Sequence, residues 1–508
     1  MRKHKPIVWS ISGHDPSGGA GISADIKTLQ CFGVESCALI TANTVQNAEE
    51  LVSVNPIPVD LLEKQFQALV EDKVPDALKI GMLANDEQIY WLIEKIDTLR
   101  NDNETLIVVY DPVAAASAGG AITEVTKDAL LALFEAVDVV TPNMSEAEKL
   151  TGIYLAAVDD IAVKFHQMQV NRIIIKGGHT DDDECIDYAY QFDGSDTSPQ
   201  KFAVKTDKVF TDYSHGGGCC YASSITALLS RGYLLRDAIT LAKAFMYQGL
   251  KANEGRIQYY GSFEVTEFPT KPEIFPTICS PYIEHQCGNS RVNQLSFQSL
   301  ELGGEKLGLY PVVDSIEWLE KLLPLGLNII QLRVKHLEGK ALEDYIARAI
   351  ELARNTQTRL FINDYWQLAI KYNAYGVHLG QEDLAVADLG AIADAGIRLG
   401  ISTHGCYEFL LAKQIQPSYL AIGAIFPTQT KDMTGQIQGV ENLAHMLALA
   451  GDVPVVAIGG INIDTAERVA NTGVDSIAVV TAITQAQNYA QNYESAVRSL
   501  KAIIEEAQ

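Results

Sequence analysis

Positive charge is scarce in this chain of 508 residues: 39 Lys and Arg stand against 64 Asp and Glu, a formal net charge of −25. Such a polyanion repels nucleic acid and anionic membrane surfaces. Any phosphate it binds must be held locally, by backbone N–H groups, a few Lys or Arg, and metal ions. Cysteine is sparse too: eight are spread along the chain, Cys219 and Cys220 adjacent, with no disulfide-scaffold rhythm. A reducing cytoplasm is therefore the expected setting. No uninterrupted apolar stretch reaches membrane-spanning length. The basic start Met1-Arg-Lys-His-Lys-Pro6 leads only into Ile7-Val-Trp9, too short for a signal-peptide core. No short repeat indicates a solenoid. What is present, 47% hydrophobic and 20% charged residues, is ordinary for a globular chain, and the length suggests roughly two to four domains.

Short apolar runs alternate with helix-period stretches from Pro6 onward. Ile7–Ile11, Ala38–Ile40, Leu78–Ile80, Leu106–Val109, Val137–Val140 and Ile173–Ile175 read as strands. This alternation predicts an α/β domain with a mainly parallel sheet over residues 1–265. The pattern fades in 266–304, where Pro269, Pro272, Pro276 and Pro281 precede a polar run, and this reads as a linker or docking segment. Cys279, His285 and Cys287 lie there without an evident fourth ligand, so free thiols are expected rather than zinc. Residues 305–508 hold eight candidate strands: Leu307–Val313, Asn328–Arg333, Arg359–Asn363, Tyr375–Leu379, Ile397–Ser402, Tyr419–Gly423, Val453–Ile458 and Asp475–Val480. A plausible helix follows each, which predicts a (β/α)8 TIM barrel, with a doubly wound sheet as the rival.

Barrel active sites sit at the C-terminal ends of strands, and unusual polar residues recur there. Gln331, Arg333 and Lys335 end the second strand, and Asn363 and Asp364 the third. Asp383 follows the fourth, and Ser402 ends the fifth. Thr428, Thr430 and Lys431 follow the sixth, Gly459-Gly460 the seventh, and Val480-Thr481 the eighth. The set suits a diphosphate. Arg333, Lys335 and Lys431 supply positive charge. Asp364 and Asp383 are hard oxygen ligands of the kind Mg²⁺ takes. The last two turns fall where barrels bind phosphate on backbone N–H groups. Singly, Arg333 or Lys335 could be a surface charge and Asp364 a helix cap.

In the first half, Ser12-Gly-His-Asp-Pro-Ser-Gly-Gly-Ala-Gly21 follows the first strand and His215-Gly-Gly-Gly-Cys219 leads into a helix. The second loop predicts an anion cradle of backbone amides suited to a transferring phosphoryl group. Cys219, at that helix start, is expected to have a lowered thiol pKa.

The segments Gln331-Leu-Arg-Val-Lys335, Phe361-Ile-Asn-Asp364, Gly376-Val-His-Leu-Gly-Gln-Glu-Asp383, Gly400-Ile-Ser-Thr-His404 and Gly423-Ala-Ile-Phe-Pro-Thr-Gln-Thr-Lys431 are similar to the motifs of thiamine phosphate synthases. The resemblance implies that Gln331, Arg333, Lys335, Asn363 and Lys431 hold an aminopyrimidine diphosphate. It implies that Asp364 and Asp383 bind Mg²⁺, that Thr428, Thr430, Gly460, Val480 and Thr481 hold a thiazole phosphate, and that Ser402 sits near the reacting centre. Thr481 stands where that family more often has Ser. The N-terminal half resembles the hydroxymethylpyrimidine and phosphomethylpyrimidine kinases of the ribokinase-like fold, in Gly18-Gly-Ala-Gly-Ile-Ser-Ala-Asp-Ile-Lys-Thr28, Lys79-Ile-Gly-Met-Leu-Ala84, Asp111-Pro-Val113, Thr141-Pro-Asn-Met-Ser-Glu-Ala-Glu148 and Lys176-Gly-Gly-His179. That implies ATP as co-substrate and a pyrimidine pocket lined by Gly13, Asp25, Gln46, Met82 and Val113. Asn143 and Glu146 would lie near Mg²⁺ and phosphates, Lys176 near the nucleotide with Gly216 and Gly218, and Cys219 would be the catalytic-loop residue. The family's usual His-Gly-Thr-Gly-Cys-Thr reads His215-Gly-Gly-Gly-Cys-Cys220 here, and a basic residue common soon after Asp-Pro-Val is missing. Both departures touch the phosphate side.

Jointly the halves imply a bifunctional transferase of thiamine biosynthesis acting on small molecules (the aminopyrimidine, ATP and thiazole phosphate), with a homo-oligomer left open. Two alternatives stand beside it: an N-terminal half that only binds the pyrimidine or performs one phosphorylation, and a barrel of some other phosphate-binding isomerase or aldolase class.

Overall fold

The computed structural model describes residues 5–47, 50–112, 125–178, 183–193, 198–257, 260–280, 295–303, 306–428, 437–489 and 492–507. The chain divides into two compact units, Met1–Cys279 and Ser280–Gln508.

The first unit is built on one ten-stranded sheet. Its strands are β1 (Ile7–His14), β2 (Glu35–Gln46), β3 (Leu51–Pro56), β4 (Ala77–Ile80), β5 (Ile107–Tyr110), β6 (Val139–Val140), β7 (Arg172–Ile175), β8 (Glu184–Gln191), β9 (Gln200–Asp207) and β10 (Thr277–Cys279), in the order β10-β9-β8-β7-β6-β5-β4-β1-β2-β3. The six strands from β2 through β1 to β7 are parallel, as the apolar runs predict, and their central members are buried. Four antiparallel additions lie outside that prediction: β3, the β8–β9 hairpin and β10. They alternate polar and apolar residues because one face meets water. Order reverses at β1, whose neighbours are β2 and β4, and such a switch point opens a crevice at the carboxyl ends of the strands. The core beneath it is apolar, with Trp9, Phe66, Phe134 and Phe165 in edge-to-face contacts.

The second unit is a closed barrel of eight parallel strands, as predicted: β11 (Gly308–Val313), β12 (Ile329–Leu332), β13 (Arg359–Asn363), β14 (Gly376–Leu379), β15 (Arg398–Thr403), β16 (Tyr419–Ile422), β17 (Val455–Ile458) and β18 (Ser476–Val479). Ring closure runs from β18 back to β11 through Gly308↔Ser476 to Pro311↔Val479. Tyr310, Ile329, Phe361, Tyr419 and Val456 fill the interior. Room for these rings comes from glycines on neighbouring strands: a Cβ at Gly376 would strike Phe361, and one at Gly400 would strike Tyr419. The N-terminal mouth is closed by residues 297–302. Phe297 N donates to Gln416 O, the Ser418 hydroxyl to Gln298 O, and Arg398 to Ser299 O, while Arg398 pairs with Glu301 at 2.8 Å. Leu300 is buried in the interior cluster behind them.

Candidate active sites of the two units

In the first unit a cleft of about 740 Å³ opens at the switch point. Gly13, Gln46, Met82, Asn143, Glu146, Lys176, Gly216, Gly218 and Cys219, all singled out by sequence, line it. Asp25 differs. It has no exposed surface, and accepts hydrogen bonds from Ser10 (2.6 Å), Ser223 (2.8 Å) and Lys79 (2.9 Å), so it stands behind the pocket wall. Val113 lies outside the described residues.

The two glycine loops meet face to face. Gly216 has φ of 78°, and a Cβ there would run into the carbonyl of Gly19, so only glycine fits. Asp15 ties the loops together: it accepts from Ser17 N, Gly19 N and Ala20 N, and His215 Nε2 is 3.0 Å away. Burial pushes the Asp15 carboxyl up, but the hydrogen bonds from His215, Ser17 and Gln46 outweigh it and hold the group well below the usual carboxylate range. The helix Gly217–Ser230 starts at this junction; Gly217 N donates to Ser214 O at 3.0 Å, which leaves the amides of Gly218 and Cys219 without an intrahelical acceptor.

Across the cleft, Lys176 Nζ lies 2.8 Å from Asp111, which also accepts from Thr141 at 3.1 Å. Asn143 and Glu146 form a reciprocal capping box at the start of the helix Met144–Thr151. Burial raises the pKa of Glu146, with Lys176 opposing and Asp111 adding to the rise. A Cβ at Gly218 would lie 3.6 Å from Lys176 Nζ and 3.7 Å from Asp111, so amides, cation and carboxylate converge on one point. Cys219 corrects the sequence reading. Although it starts a helix, burial pushes its thiol up to about 11, against a lowering by Lys79. Desolvation by the surrounding protein, with the nearby carboxylates Asp25 and Asp111, outweighs what Lys79 and the Gly21 backbone N–H do to lower it.

In the barrel, the Lys335–Asp364 ion pair is 2.5 Å long at the carboxyl-end rim. Burial and the neighbouring charge of Asp364 raise the pKa of Asp383, whose Oδ2 accepts from Gly380 N at 3.2 Å. The two carboxylates therefore face each other beside a cation. Asp364 holds φ of 68°, in the left-handed region, which Asp tolerates better than most residues. Gln331 and Asn363 are buried just inside the rim, and Arg333 is half-buried beside them. Ser402 Oγ meets His378 Nε2 at 2.7 Å. Gly460 has φ of 66° and packs so closely on the carbonyls of Phe426 and Pro427 that a Cβ would clash. This sets the turn after β17 against the loop that carries Thr428. Val480 precedes the short helix Thr481–Thr484. Thr430 and Lys431 lie outside the described residues.

Three residues that belong with these sites were not assigned roles from sequence: Asp15, Asp111 and His378. Asp111 and His378 could have been found by asking which polar residues lie on or just past predicted strands. Asp15 signals nothing, because its partner is 200 positions away.

Comparison with known proteins follows the same division. Residues 15–263 match the family model for phosphomethylpyrimidine kinase, and residues 309–483 that for thiamine monophosphate synthase. A thiamine-phosphate synthase of Citrobacter koseri is 55% identical over 184 residues, 36% of this chain and 87% of that protein. One of Proteus mirabilis is 56% identical over 187 residues, 37% of this chain and 87% of that one. A crystal structure of phosphomethylpyrimidine kinase from Clostridium difficile 630 shares 30% identity, with a TM-score of 0.40, over 48% of this chain and 99% of that one. The chain therefore belongs to the thiamine-phosphate synthase family through its second unit and carries a phosphomethylpyrimidine kinase domain as its first.

Proposed function

We propose that the first unit uses ATP to phosphorylate 4-amino-5-hydroxymethyl-2-methylpyrimidine and then its monophosphate, and that the second joins the diphosphate to thiazole phosphate, giving thiamine phosphate and pyrophosphate. The observation that carries this is the barrel rim, where Lys335, Asp364 and Asp383 gather at one mouth of an eight-stranded barrel.

In the first unit Gly13, Gln46 and Met82 hold the pyrimidine, with Asp25 and Lys79 fixing the wall behind them. Transfer needs little covalent help from protein, so positioning and charge dominate. Gly216, Gly218 and the first-turn amides receive the moving phosphoryl group, Lys176 neutralises nucleotide phosphates, and Asn143 and Glu146 lie toward a metal–phosphate complex. Cys219, neutral at physiological pH, acts as a hydrogen-bonding neighbour of the substrate hydroxyl.

In the second unit Gln331, Arg333, Lys335, Asn363 and Lys431 hold the pyrimidine diphosphate. Thr428, Thr430, Gly460, Val480 and Thr481 hold the thiazole phosphate, and Ser402 stands near the reacting carbon. The facing carboxylates Asp364 and Asp383 fit Mg²⁺: both are hard oxygen donors, and the pKa of Asp383 is raised by burial and, next, by the charge of Asp364, a repulsion that a divalent cation relieves. When bound, Mg²⁺ supplies charge neutralisation for the departing pyrophosphate. Lys335 and Arg333 stabilise the same leaving charge, and the electron-rich aminopyrimidine supports a cationic CH₂ that the thiazole nitrogen attacks. No protein base is needed.

The acidic surface leaves small molecules as partners. The seven described cysteines are free thiols, and among the described residues no helix is long and apolar enough to cross a membrane. The test is mass spectrometry of products from ATP, Mg²⁺, the pyrimidine alcohol and thiazole phosphate. Thiamine phosphate is expected, and its absence when the pyrimidine diphosphate is supplied directly would overturn the synthase reading.

A further inference from the structure

Inside the barrel, residues from five strands form one hydrogen-bonded line. Gln331 Nε2 donates to the Tyr310 hydroxyl at 3.3 Å. The Tyr310 and Tyr419 hydroxyls are 2.7 Å apart, the Tyr419 hydroxyl is 2.7 Å from His378 Nδ1, and His378 Nε2 is 2.7 Å from Ser402 Oγ. Tyr310 and Tyr419 are fully enclosed, and burial raises the pKa of both phenols, so each keeps its proton. Those protons must point somewhere.

An amide nitrogen can only donate. The Tyr310 oxygen therefore accepts from Gln331, and the next acceptor along the line for its own proton is Tyr419. Tyr419 then donates to His378 Nδ1, which must be the unprotonated ring nitrogen. The neutral imidazole carries its proton at Nε2 and donates it to Ser402 Oγ. In the opposite sense, His378 Nδ1–H would donate to Tyr419 and Tyr419 to Tyr310. That would leave the Tyr310 proton buried with no acceptor along the line, an arrangement proteins avoid. The hydrogen bond made by one imidazole nitrogen sets what the other does.

We propose that this line fixes Ser402 as a hydrogen-bond donor to the bound aminopyrimidine diphosphate, with Tyr310, Tyr419 and His378 as positioning residues. The proposal rests on the synthase reading of the barrel. Because Ser402 accepts from the imidazole, its own proton is left for the substrate. With the other tautomer Ser402 would spend that proton on His378 and turn only lone pairs toward an anionic ligand. The buried tyrosines thus decide whether the serine attracts or repels the diphosphate.

The test uses the full chain, with purified pyrimidine diphosphate and thiazole phosphate supplied directly. Tyr419→Phe removes a single oxygen. Its kcat should fall about 10- to 100-fold, the usual loss when a group that orients a histidine is removed. Its KM for the diphosphate should rise as well, since a serine that turns lone pairs toward the anion weakens the bound state along with the reacting one. In a double-mutant cycle with Ser402→Ala, the second substitution should add almost nothing. Multiplying effects, or an unchanged kcat in Tyr419→Phe, would overturn the relay. Should Tyr419→Phe not fold, the wild-type protein still decides. With ¹⁵N-labelled histidine and His378→Gln to assign the signal, a pyridine-type Nδ1 supports the proposal and a pyrrole-type Nδ1 overturns it. Absence of thiamine phosphate from the wild-type protein would instead sink the synthase reading.

Discussion

The two units handle phosphate chemistry with opposite placements of charge. In the first, ion pairs are sunk and already matched, Lys79 with Asp25 and Lys176 with Asp111, and His215 lies within hydrogen-bond distance of Asp15. In the second, the ion pair of the site sits at the rim, with the Lys335 side chain 54% exposed, while the line of polar groups beneath it consists of tyrosines, an amide and an imidazole. A buried pair is costly to break, because removing one partner strands the other charge away from water. An exposed pair is cheap to break and readily re-formed around an incoming anion. The kinase cleft is thus preorganised by its own core, whereas the synthase rim is completed by its ligand.

That contrast can be broken by substitution. Asp364→Ala should lower synthase kcat by about 10²–10³-fold, the scale of losing a principal electrostatic group, while ATP consumption by the first unit persists. Loss of both activities together would show the units are not independent. Lys79→Met should destabilise the first unit by about 3–5 kcal/mol by stranding Asp25, read as an early transition in chemical denaturation, with thiamine phosphate formation from supplied diphosphate retained. Lys335→Ala should cost less than about 1 kcal/mol of stability while weakening diphosphate binding, which separates rim from core.

Two smaller effects sharpen the picture. A thiol held up near 11 is neutral at physiological pH. Kinase kcat should therefore show no rise from thiol ionisation between about pH 6 and 9, where an activated cysteine would titrate, and Cys219→Ser should retain more activity than Cys219→Ala. Asp15 has a depressed pKa in the fold. The stability it contributes is full above its ordinary value of 3.8 and is lost as pH falls through the lower folded value. Asp15→Asn should flatten the acid limb of the denaturation profile of the first unit.

Sequence reading reached the barrel almost whole, because parallel strands buried on both faces leave apolar runs that need no tertiary knowledge. Polar residues at their carboxyl ends then stood out. It missed β3, β8, β9 and β10 because solvent-facing strands such as Glu184–Gln191 mix Asp, Tyr and Gln with their apolar positions. At the kinase site, Gly216 and Cys219 were visible in a local motif, but the thiol was assigned the wrong ionisation because helix position is local and burial is not. The Tyr310–Tyr419 contact spans 109 positions and falls between two unremarkable strands. Only folding reveals such pairs.

The segment 297–302 has a practical corollary. Its carbonyls are taken by Arg398 and Ser418, and Leu300 plugs the barrel from below. A synthase cut out of this chain at Gly308, where its first strand begins, would be a cup without a base. Water would reach the interior beneath Tyr310, and an expression boundary drawn upstream of Phe297 is the one that keeps the vessel sealed.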